Sequence, residues 1–257
     1  MFSGNKFAVI RPEIVKRYQE AYALEQRYGP PSCARRHSSM HARSCRIDLL
    51  PRSIDVLSGT VVDVGANVGA WTDSLLAVVP SATVLAIEPA DEPLAALRSR
   101  FGSDSRVEIA AVAVSDRSGS ATFNVTDHSH NASLRTPLDM SADYGSGWTV
   151  TRTVTVPTVT LDALTDGRDL SLIKIDVQGA EGQVLAGARN TLARAKAVLL
   201  EVTLRPHYEG DLLFPKLHEI MIEHGYGLSG LSEPKKNVLG ETLWLDACYV
   251  RHSPSYL

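Results

Sequence analysis

The sequence predicts an α/β fold in which helices cover both faces of a mostly parallel sheet. Three observations support this prediction. Continuous apolar runs such as "TVVDV" at 60–64 and "LSLIKIDV" at 170–177 are typical of strands buried on both faces. Stretches with helical spacing of apolar residues separate these runs, which indicates parallel strands joined by helices. A turn with two glycines joins the first strand to the first helix, as in sheets that bind ligands at the carboxyl ends of their strands.

The first half of the chain alternates strand and helix from residue 60. A helix over "GAWTDSLLAVV" places four apolar side chains on one side: Trp71, Leu75, Leu76 and Val79. The strand "ATVLAIEP" follows, and then a helix over "DEPLAALRSRF" with Asp91 as its N-cap. We expect a third strand over "RVEIAAVAVSD" and right-handed crossovers between the parallel strands.

The alternation is interrupted between about residues 118 and 160. "GSATFNVT" and "WTVTRTVTVPTVTL" indicate two strands, separated by the polar stretch "DHSHNASLRTPLDMSADYGSG". A loop of this length in a compact domain is usually functional or disordered, so we interpret it as an inserted substrate loop. Helices over "AEGQVLAGARNTLARA" and "LLFPKLHEIMIEHG" then alternate with the strand "KAVLLEVT", and "YGLSGL" and "ETLWLDACYVR" close a sheet of seven strands.

The composition favours one main domain without a general affinity for nucleic acid. We expect this domain to span residues 56–257, after a mostly helical lead-in or lid over residues 1–55. The basic stretch "PPSCARRHSSMHARSCR" in the lead-in is either solvated or a surface for an anionic or sugar substrate. The net charge of −3 gives no attraction to nucleic acid, and three scattered cysteines indicate neither disulfides nor zinc. No signal peptide or membrane-spanning run is evident, so we expect a cytoplasmic protein.

The stretch "VVDVGANVGAW", residues 61–71, predicts a ligand site at the start of a helix. Such a helix start offers unpaired N–H groups and the positive end of a dipole. A dinucleotide fingerprint needs glycine where this chain has Asn67, so the pyrophosphate interpretation weakens. Asp63 adds a carboxylate, which would repel a pyrophosphate but suits a cationic ligand. Gly65 and Gly69 taken alone are also compatible with an ordinary strand–helix turn.

Acidic residues at the next strand ends suggest what the ligand is. Glu88 ends the second strand, where a carboxylate can accept hydrogen bonds from both ribose hydroxyls. These features predict an adenosine-like nucleoside with a positive or zwitterionic tail, a description that fits S-adenosylmethionine. Ser115 and Asp116 end the third strand, where the adenine edge would lie. Asp116 is either an acceptor for the adenine amino group or a turn residue.

Several stretches together resemble the FkbM-type methyltransferase family, a branch of the class I S-adenosylmethionine-dependent enzymes. The resemblance covers about residues 58–230, and "KIDVQGAE" followed by "LLEV" is its most specific part. This chain has Gln178 where the family usually has Glu. The other matching stretches are "VVDVGANVGAWT", "AIEPADEPLAAL", "AVAVSDRSGSATF", "NASL", "VTLDAL" and "LIKIDVQGAEGQVLAGA".

The resemblance implies a Rossmann-like class I fold whose seven-stranded sheet ends in a reversed hairpin. It also implies methyl transfer to oxygen, commonly to a hydroxyl of a sugar or polyketide. Thr72, in the first turn of the helix, is then a donor to the methionine carboxylate. The residues that match the family's cofactor positions are Asp63, Gly65, Asn67, Glu88 and Asp116.

The catalytic candidates follow from the need to remove a proton from a hydroxyl of high pKa as the new bond forms. Asp176 ends the strand beside the glycine turn and is the leading base or metal ligand, unless it caps the helix near Ala180. Glu201 ends the next strand, and the two carboxylates could bind Mg²⁺, share a proton or hold substrate hydroxyls. His207, in "TLRPHYEG", is a second candidate base or simply an exposed histidine.

The inserted loop and nearby aromatic residues are the candidates for binding the acceptor. Asn131 and Ser133 match the family's loop motif. His128 and His130 lie beside them in the same stretch. Tyr144, Trp148 and Tyr208 are candidates for stacking on sugar faces, although packing in the core or loops would also explain them.

The sequence therefore predicts an O-methyltransferase that acts on a sugar of a glycolipid, oligosaccharide or glycosylated metabolite. Two other functions stay open: a nicotinamide-dependent oxidoreductase on a Rossmann sheet, which Asn67 disfavours, and a non-catalytic nucleoside-binding module. The sequence is also compatible with a homodimer formed through the lead-in.

Overall fold

A computed structural model describes residue 49 and residues 59–144, 146–237 and 239–251 of the chain. The predicted lead-in over residues 1–55, with its basic stretch, lies outside these residues apart from Leu49. Leu49 packs against one of the two main core clusters. The bounds proposed for the two domains stay a prediction.

Eleven strands form two sheets within the described residues. In chain order they are β1 Thr60–Val64, β2 Thr83–Ile87, β3 Val107–Ala110, β4 Ala113–Val114, β5 Gly119–Thr126, β6 Val150–Val159, β7 Leu170–Ile175, β8 Ala197–Thr203, β9 Tyr226–Leu231, β10 Lys235–Lys236 and β11 Thr242–Arg251. The main sheet has the order β3-β2-β1-β7-β8-β11, and β9 and β10 both pair with β11. Its first five strands are parallel, whereas β11 is antiparallel to its neighbours. The structure thus confirms the α/β class and the reversed hairpin, and it adds β10 to the seven expected strands.

Seven helices flank these strands within the described part of the chain. They are α1 Ala70–Val78, α2 Asp91–Phe101, α3 Ser141–Tyr144, α4 Leu161–Leu164, α5 Glu181–Ala186, α6 Arg189–Arg194 and α7 Phe214–Glu223. Asp91 does not cap α2 as predicted, because Ala90 is the N-cap and no side chain bonds there. Asp91 lies in the first turn, where its charge still favours the helix dipole. None of the described helices is long and apolar enough to cross a bilayer.

The helix predicted over residues 180–195 is divided at Gly187 into α5 and α6. A side chain at Gly187 would place its Cβ 2.2 Å from the backbone oxygen of Ser115, so the chain passes too close to its neighbour for any other residue. The start of α6 is held by Asp162, whose carboxylate accepts from the backbone N–H groups of Asn190 and Thr191. A tertiary contact and a distant cap therefore override the continuous helical periodicity.

The hydrophobic core lies on both faces of the main sheet. Successive residues of β1 alternate between the two clusters, with Val62 and Val64 in one and Val61 in the other. Trp71, Leu75 and Leu76 of α1 are buried, as the helical spacing predicts. Each fully buried Val or Leu contributes roughly 1.5–3 kcal/mol, so the two clusters fix the sheet on which the site is built.

The predicted third strand is in fact two strands in different sheets. β3 ends at the edge of the main sheet, and after a short break β4 pairs with β6. The two strands predicted on either side of the inserted loop are β5 and β6, and they form an antiparallel pair. The small sheet β4-β6-β5 thereby brings part of the inserted loop, within residues 129–134, to the carboxyl edge of the main sheet.

Candidate active site

A cleft of about 630 Å³, including its open mouth, lies at the carboxyl edge of the parallel strands. The turn after β1 and the end of β2 form one side, and the turn after β7 forms another. β4 and the inserted loop complete it. The lining comes from within residues 64–67, 87–89, 112–114, 129–134 and 176–180, together with Phe123.

The turn after β1 is held by backbone conformations that few residues adopt. Gly65 has a φ of 78°, and a Cβ there would lie only 2.0 Å from the backbone oxygen of Asp176. Asn67 has a φ of 49°, and its side-chain oxygen accepts from the N–H of Val68 at 2.7 Å. Asn is among the few non-glycine residues that tolerate this region. The sequence therefore builds a tight turn that opens α1 toward the cleft.

Glu88 fixes this turn from the end of β2. Its two carboxylate oxygens accept from the backbone N–H groups of Asn67 at 2.9 Å and Ala90 at 2.8 Å. Burial raises the pKa of Glu88 from 4.5 to about 7, although the two N–H donors act in the opposite direction. Each carboxylate oxygen has a second lone pair, so Glu88 keeps acceptor capacity toward the cleft that it lines.

Asp63 lies behind the turn, not in the cleft. It is fully buried; one oxygen accepts from the hydroxyl of Thr72 at 2.7 Å, and the other lies 3.1 Å from the ammonium of Lys174. This differs from the expectation that Asp63 presents its charge to a cationic ligand, because Lys174 neutralises that charge inside the protein. Thr72 is likewise fully buried in this contact. Their predicted contacts with a cofactor stay predictions.

Lys174 is the residue of this region that sequence reasoning missed. Its ammonium donates to the backbone oxygen of Gly65 at 2.9 Å and lies 3.7 Å from the carboxylate of Asp176. Burial alone would lower the pKa of Lys174, but the charges of Asp63 and Asp176 outweigh it and raise the pKa above its usual value. A lysine inside an otherwise apolar strand, "LIKI", is the signal that could have identified it, since such a charge needs a buried partner.

The turn after β7 brings the two predicted catalytic carboxylates together. The side-chain nitrogen of Gln178 donates to Asp176 and to Glu201, each at 2.6 Å, so the two accepting oxygens are no more than twice that distance apart. The side-chain oxygen of Gln178 accepts from the hydroxyl of Tyr208 at 3.1 Å. The side chain of Asp176 is 23% exposed and lines the cleft, whereas Glu201 is buried behind it.

The backbone of this second turn is held by Glu181. Its carboxylate accepts from the N–H groups of Val177 at 3.0 Å and Gly179 at 3.3 Å. Burial raises the pKa of Glu181 to about 7. The N-cap of α5 is Ala180 with no side-chain cap, so Asp176 does not have the capping role that was its alternative.

The inserted loop is tied to both turns. His130 lines the cleft, as does Ser129, whose hydroxyl lies 3.5 Å from the side chain of Asn67. Ser133 is fully buried and donates to the backbone oxygen of Gln178 at 2.6 Å. Of the predicted loop residues, His130 therefore reaches the cleft and Ser133 anchors the loop.

Two other predicted loop residues close the loop on itself. The side chain of Asn131 donates to the backbone oxygen of Gly147 at 2.7 Å, and its own backbone oxygen accepts from Tyr208. A Cβ at Gly147 would lie 2.6 Å from the ring of His128, so His128 packs against the far end of the same loop. Neither is among the residues that line the cleft.

Four rings form a cluster beside the carboxylates. Trp148 stacks on His207 with ring centroids 5.7 Å apart, and it also contacts Tyr144 and Tyr208. Nε2 of His207 lies 2.9 Å from the hydroxyl of Tyr144. Burial lowers the pKa of His207 to about 4, so this imidazole is neutral near pH 7. His207 and Tyr208 are buried, whereas Tyr144 and Trp148 are partly exposed; none of the four is among the residues that line the cleft, and their contact with an acceptor stays a prediction.

The remaining predictions concern the adenine edge and a metal. Ser115 donates to Asp116 at 3.1 Å, but neither lines the cleft, which reaches this strand at Ala113 and Val114. Their contact with adenine stays a prediction. The described residues contain no group of three or more His, Cys, Asp or Glu that could hold a metal ion.

Comparison with known sequences gives one family. A family model described as "Methyltransferase FkbM domain" matches residues 63–228, which includes both turns and the inserted loop. The chain is also 30% identical over 163 residues to the 2-O-methyltransferase NoeI of Sinorhizobium fredii (strain NBRC 101917 / NGR234). That match covers 59% of this chain and 66% of the relative, so the chain spans somewhat less than two thirds of the relative's length.

Solved structures of methyltransferases resemble the chain at low identity. The methyltransferase FkbM from Methylobacillus flagellatus KT is 17% identical, with a TM-score of 0.48, over 76% of this chain and 44% of that chain. A putative S-adenosylmethionine-dependent methyltransferase from Listeria monocytogenes is 10% identical, with a TM-score of 0.44, over 80% of this chain and 95% of that chain.

Proposed function

We propose, from the premise that the chain belongs to the FkbM methyltransferase family, that it transfers a methyl group from S-adenosylmethionine to a hydroxyl of a carbohydrate acceptor. One observation carries the proposal. Gly65, Asn67 and Glu88 line the same cleft as Asp176. A nucleoside site and a candidate base thus share one cavity.

The residues on the cofactor side suit a nucleoside. The second lone pairs of Glu88 can accept from two ribose hydroxyls, since its backbone contacts use only one lone pair of each oxygen. The apolar side chains of Ile87, Val112 and Phe123 line the same cleft and suit the face of a base. S-adenosylmethionine, when bound, supplies an activated methyl group on a sulfonium.

The residues on the acceptor side suit removal of a proton from a hydroxyl. As the acceptor oxygen bonds to the methyl carbon, the carbon–sulfur bond breaks, sulfur keeps the electron pair and the hydroxyl proton goes to a base. We assign that base to Asp176, which is partly exposed in the cleft. Tyr144 and Trp148 supply exposed ring surface against which a sugar can pack. The name of the relative, a 2-O-methyltransferase, supports an oxygen acceptor.

A magnesium ion does not fit the carboxylate pair as it stands. Mg²⁺ needs near-octahedral oxygen ligands at about 2.0–2.1 Å. The side-chain nitrogen of Gln178 lies between Asp176 and Glu201 and donates to both. The facing oxygens of the pair are therefore engaged by N–H groups, and the proposed reaction has no metal step.

Calorimetry and a labelled-methyl assay test the proposal. We expect S-adenosylhomocysteine to bind and NAD not to bind. With methyl-labelled S-adenosylmethionine, a panel of mono- and oligosaccharides should reveal an acceptor, with equal transfer in EDTA. Asp176→Asn should keep cofactor binding and lose about 10²–10⁴-fold in transfer. Binding of NAD in place of S-adenosylhomocysteine, or full transfer by Asp176→Asn, would contradict the proposal.

A further inference from the structure

The side chain of Gln178 uses both of its N–H donors and one of the two acceptor positions of its oxygen. Its nitrogen donates to Asp176 and Glu201, and its oxygen accepts from Tyr208. Both donor distances are 2.6 Å. The amide thus connects the turn after β7 to β8 and to the loop that follows β8.

The backbone at this position also indicates that the side chain is required there. Gln178 has a φ of 58°, which a glutamine adopts only at a cost that glycine would avoid. Its side chain is buried, and its backbone oxygen accepts from Ser133 at 2.6 Å. Strain of this kind persists where the surroundings fix the residue, and here they fix it between two carboxylates.

The charges around the pair explain why a neutral donor suits this place. Lys174 lies 3.7 Å from Asp176 and Glu181 also faces Asp176, while Asp246 pairs with Glu201 in the register of β8 and β11. The neighbourhood is therefore already acidic, and a third carboxylate at position 178 would add repulsion. An amide holds the two carboxylates close without adding charge.

We infer that Gln178 is a positioning residue: its amide holds the Asp176 and Glu201 carboxylates together in the arrangement that a divalent cation would otherwise impose. Its catalytic meaning rests on the proposed methyl transfer, because the amide orients Asp176 toward the cleft. The bridge itself is a property of the folded chain and can be tested without cofactor or acceptor. A carboxylate at this position should turn the same three residues into a cation site.

Nuclear magnetic resonance of the side-chain amide tests the bridge directly. We expect both Gln178 amide protons, identified by their loss in Gln178→Glu, to resonate downfield of exposed amides and to exchange at least about tenfold more slowly. Asp176→Asn should move mainly one of the two protons and Glu201→Gln mainly the other. Protons that resemble those of exposed side chains, or that respond to neither variant, would overturn the inference.

Titration with Mn²⁺ alone tests whether the Gln178 amide takes the place of a divalent cation between Asp176 and Glu201. We expect Gln178→Glu to bind Mn²⁺ at least about tenfold more tightly than the parent, since three oxygen ligands would replace two. Asn190→Asp makes the same amide-to-carboxylate change on an exposed residue of α6 and should bind like the parent. A parent that binds Mn²⁺ as tightly as Gln178→Glu refutes the inference. Failure to bind S-adenosylhomocysteine would instead refute the proposed function and leave both of these results standing.

Discussion

Two turns bound the cleft, and they are built alike but fixed differently. Each contains a non-glycine residue with positive φ, Asn67 at 49° and Gln178 at 58°. Each is held by a buried glutamate: Glu88 accepts from the N–H of Asn67 in the first turn and from that of Ala90 after β2, and Glu181 accepts from two N–H groups of the second turn. Both glutamates have a pKa raised to about 7 by burial.

The difference lies in where the central side chain finds its partners. The side-chain oxygen of Asn67 accepts from the next residue, Val68, so much of the first turn is specified locally. The side chain of Gln178 reaches Glu201 and Tyr208, 23 and 30 residues away. The conformation of the second turn therefore depends more on distant segments than that of the first turn.

The largest loss of stability is expected from removal of the Lys174 ammonium, which contacts both turns. Lys174→Met leaves Asp63 buried without its counter-charge and should lower the free energy of unfolding by about 3–5 kcal/mol, measured by urea denaturation at pH 7. The double variant Asp63→Asn/Lys174→Met removes both charges and should recover part of the loss. An equally unstable double variant would argue against a buried ion pair.

A smaller loss of stability is expected from a substitution at Gly65, where the first turn lies against the second. Gly65→Ala places a Cβ 2.0 Å from the backbone of Asp176 and should cost about 2–4 kcal/mol. Gly167→Ala is the matched control, because Gly167 has a φ of 69° but nothing within 4 Å of the added atom. It should lose only about 1 kcal/mol. Equal losses in urea denaturation would mean that contact between the turns is unimportant.

Glycine substitutions compare the two turns directly. Gln178→Gly relieves the backbone strain at positive φ but removes the donor to Asp176 and Glu201. We therefore expect the free energy of unfolding to fall by about 2–3 kcal/mol. Asn67→Gly relieves the same backbone strain and loses a local hydrogen bond to Val68 and a long, exposed contact with Ser129, so the free energy of unfolding should change by less than about 1 kcal/mol. Thermal unfolding of both variants measures this, and the opposite order would reverse the comparison.

The pH dependence of stability should reflect the buried glutamates. A carboxyl whose pKa is 4.5 when unfolded and about 7 when folded binds its proton more tightly in the folded state. The parent should therefore lose about 2–3 kcal/mol relative to Glu181→Gln as the pH rises from about 4.5 through 7 to about 8, with little further change above pH 8. Urea denaturation across this range tests the sign. If the parent instead gained stability relative to Glu181→Gln as the pH rises, the pKa of Glu181 would not be raised in the folded state.

The smallest effect should separate the two glutamates by function. Under the proposed function, ribose hydroxyls donate to ionised Glu88, so affinity for S-adenosylhomocysteine should fall about three- to tenfold between pH 8 and pH 6. Glu88→Gln should weaken binding and remove this dependence, whereas Glu181→Gln should preserve it. Calorimetry at the two pH values distinguishes these cases.

The sequence by itself determined the sheet, its buried strands and the first turn. Apolar runs and glycines act over a few residues, so β1, α1 and β2 lie where the pattern predicts them. The same local signals predicted that Glu88, Asp176 and Glu201 end strands of the parallel sheet. Glu88 and Asp176 directly follow β2 and β7, whereas Glu201 lies within β8, two residues before its end. The position of Glu88 and Asp176 in one cleft agrees with that reasoning.

Only the tertiary structure decided how the polar groups are paired. It turned Asp63 toward Lys174, buried His207 among aromatic rings and placed the amide of Gln178 between the two carboxylates. It also placed β4 in the small sheet, although the sequence predicts that β4 continues the strand β3 of the main sheet. These outcomes depend on contacts between residues tens of positions apart. No pattern of local spacing encodes them, because burial and partner choice are settled only when the whole chain packs.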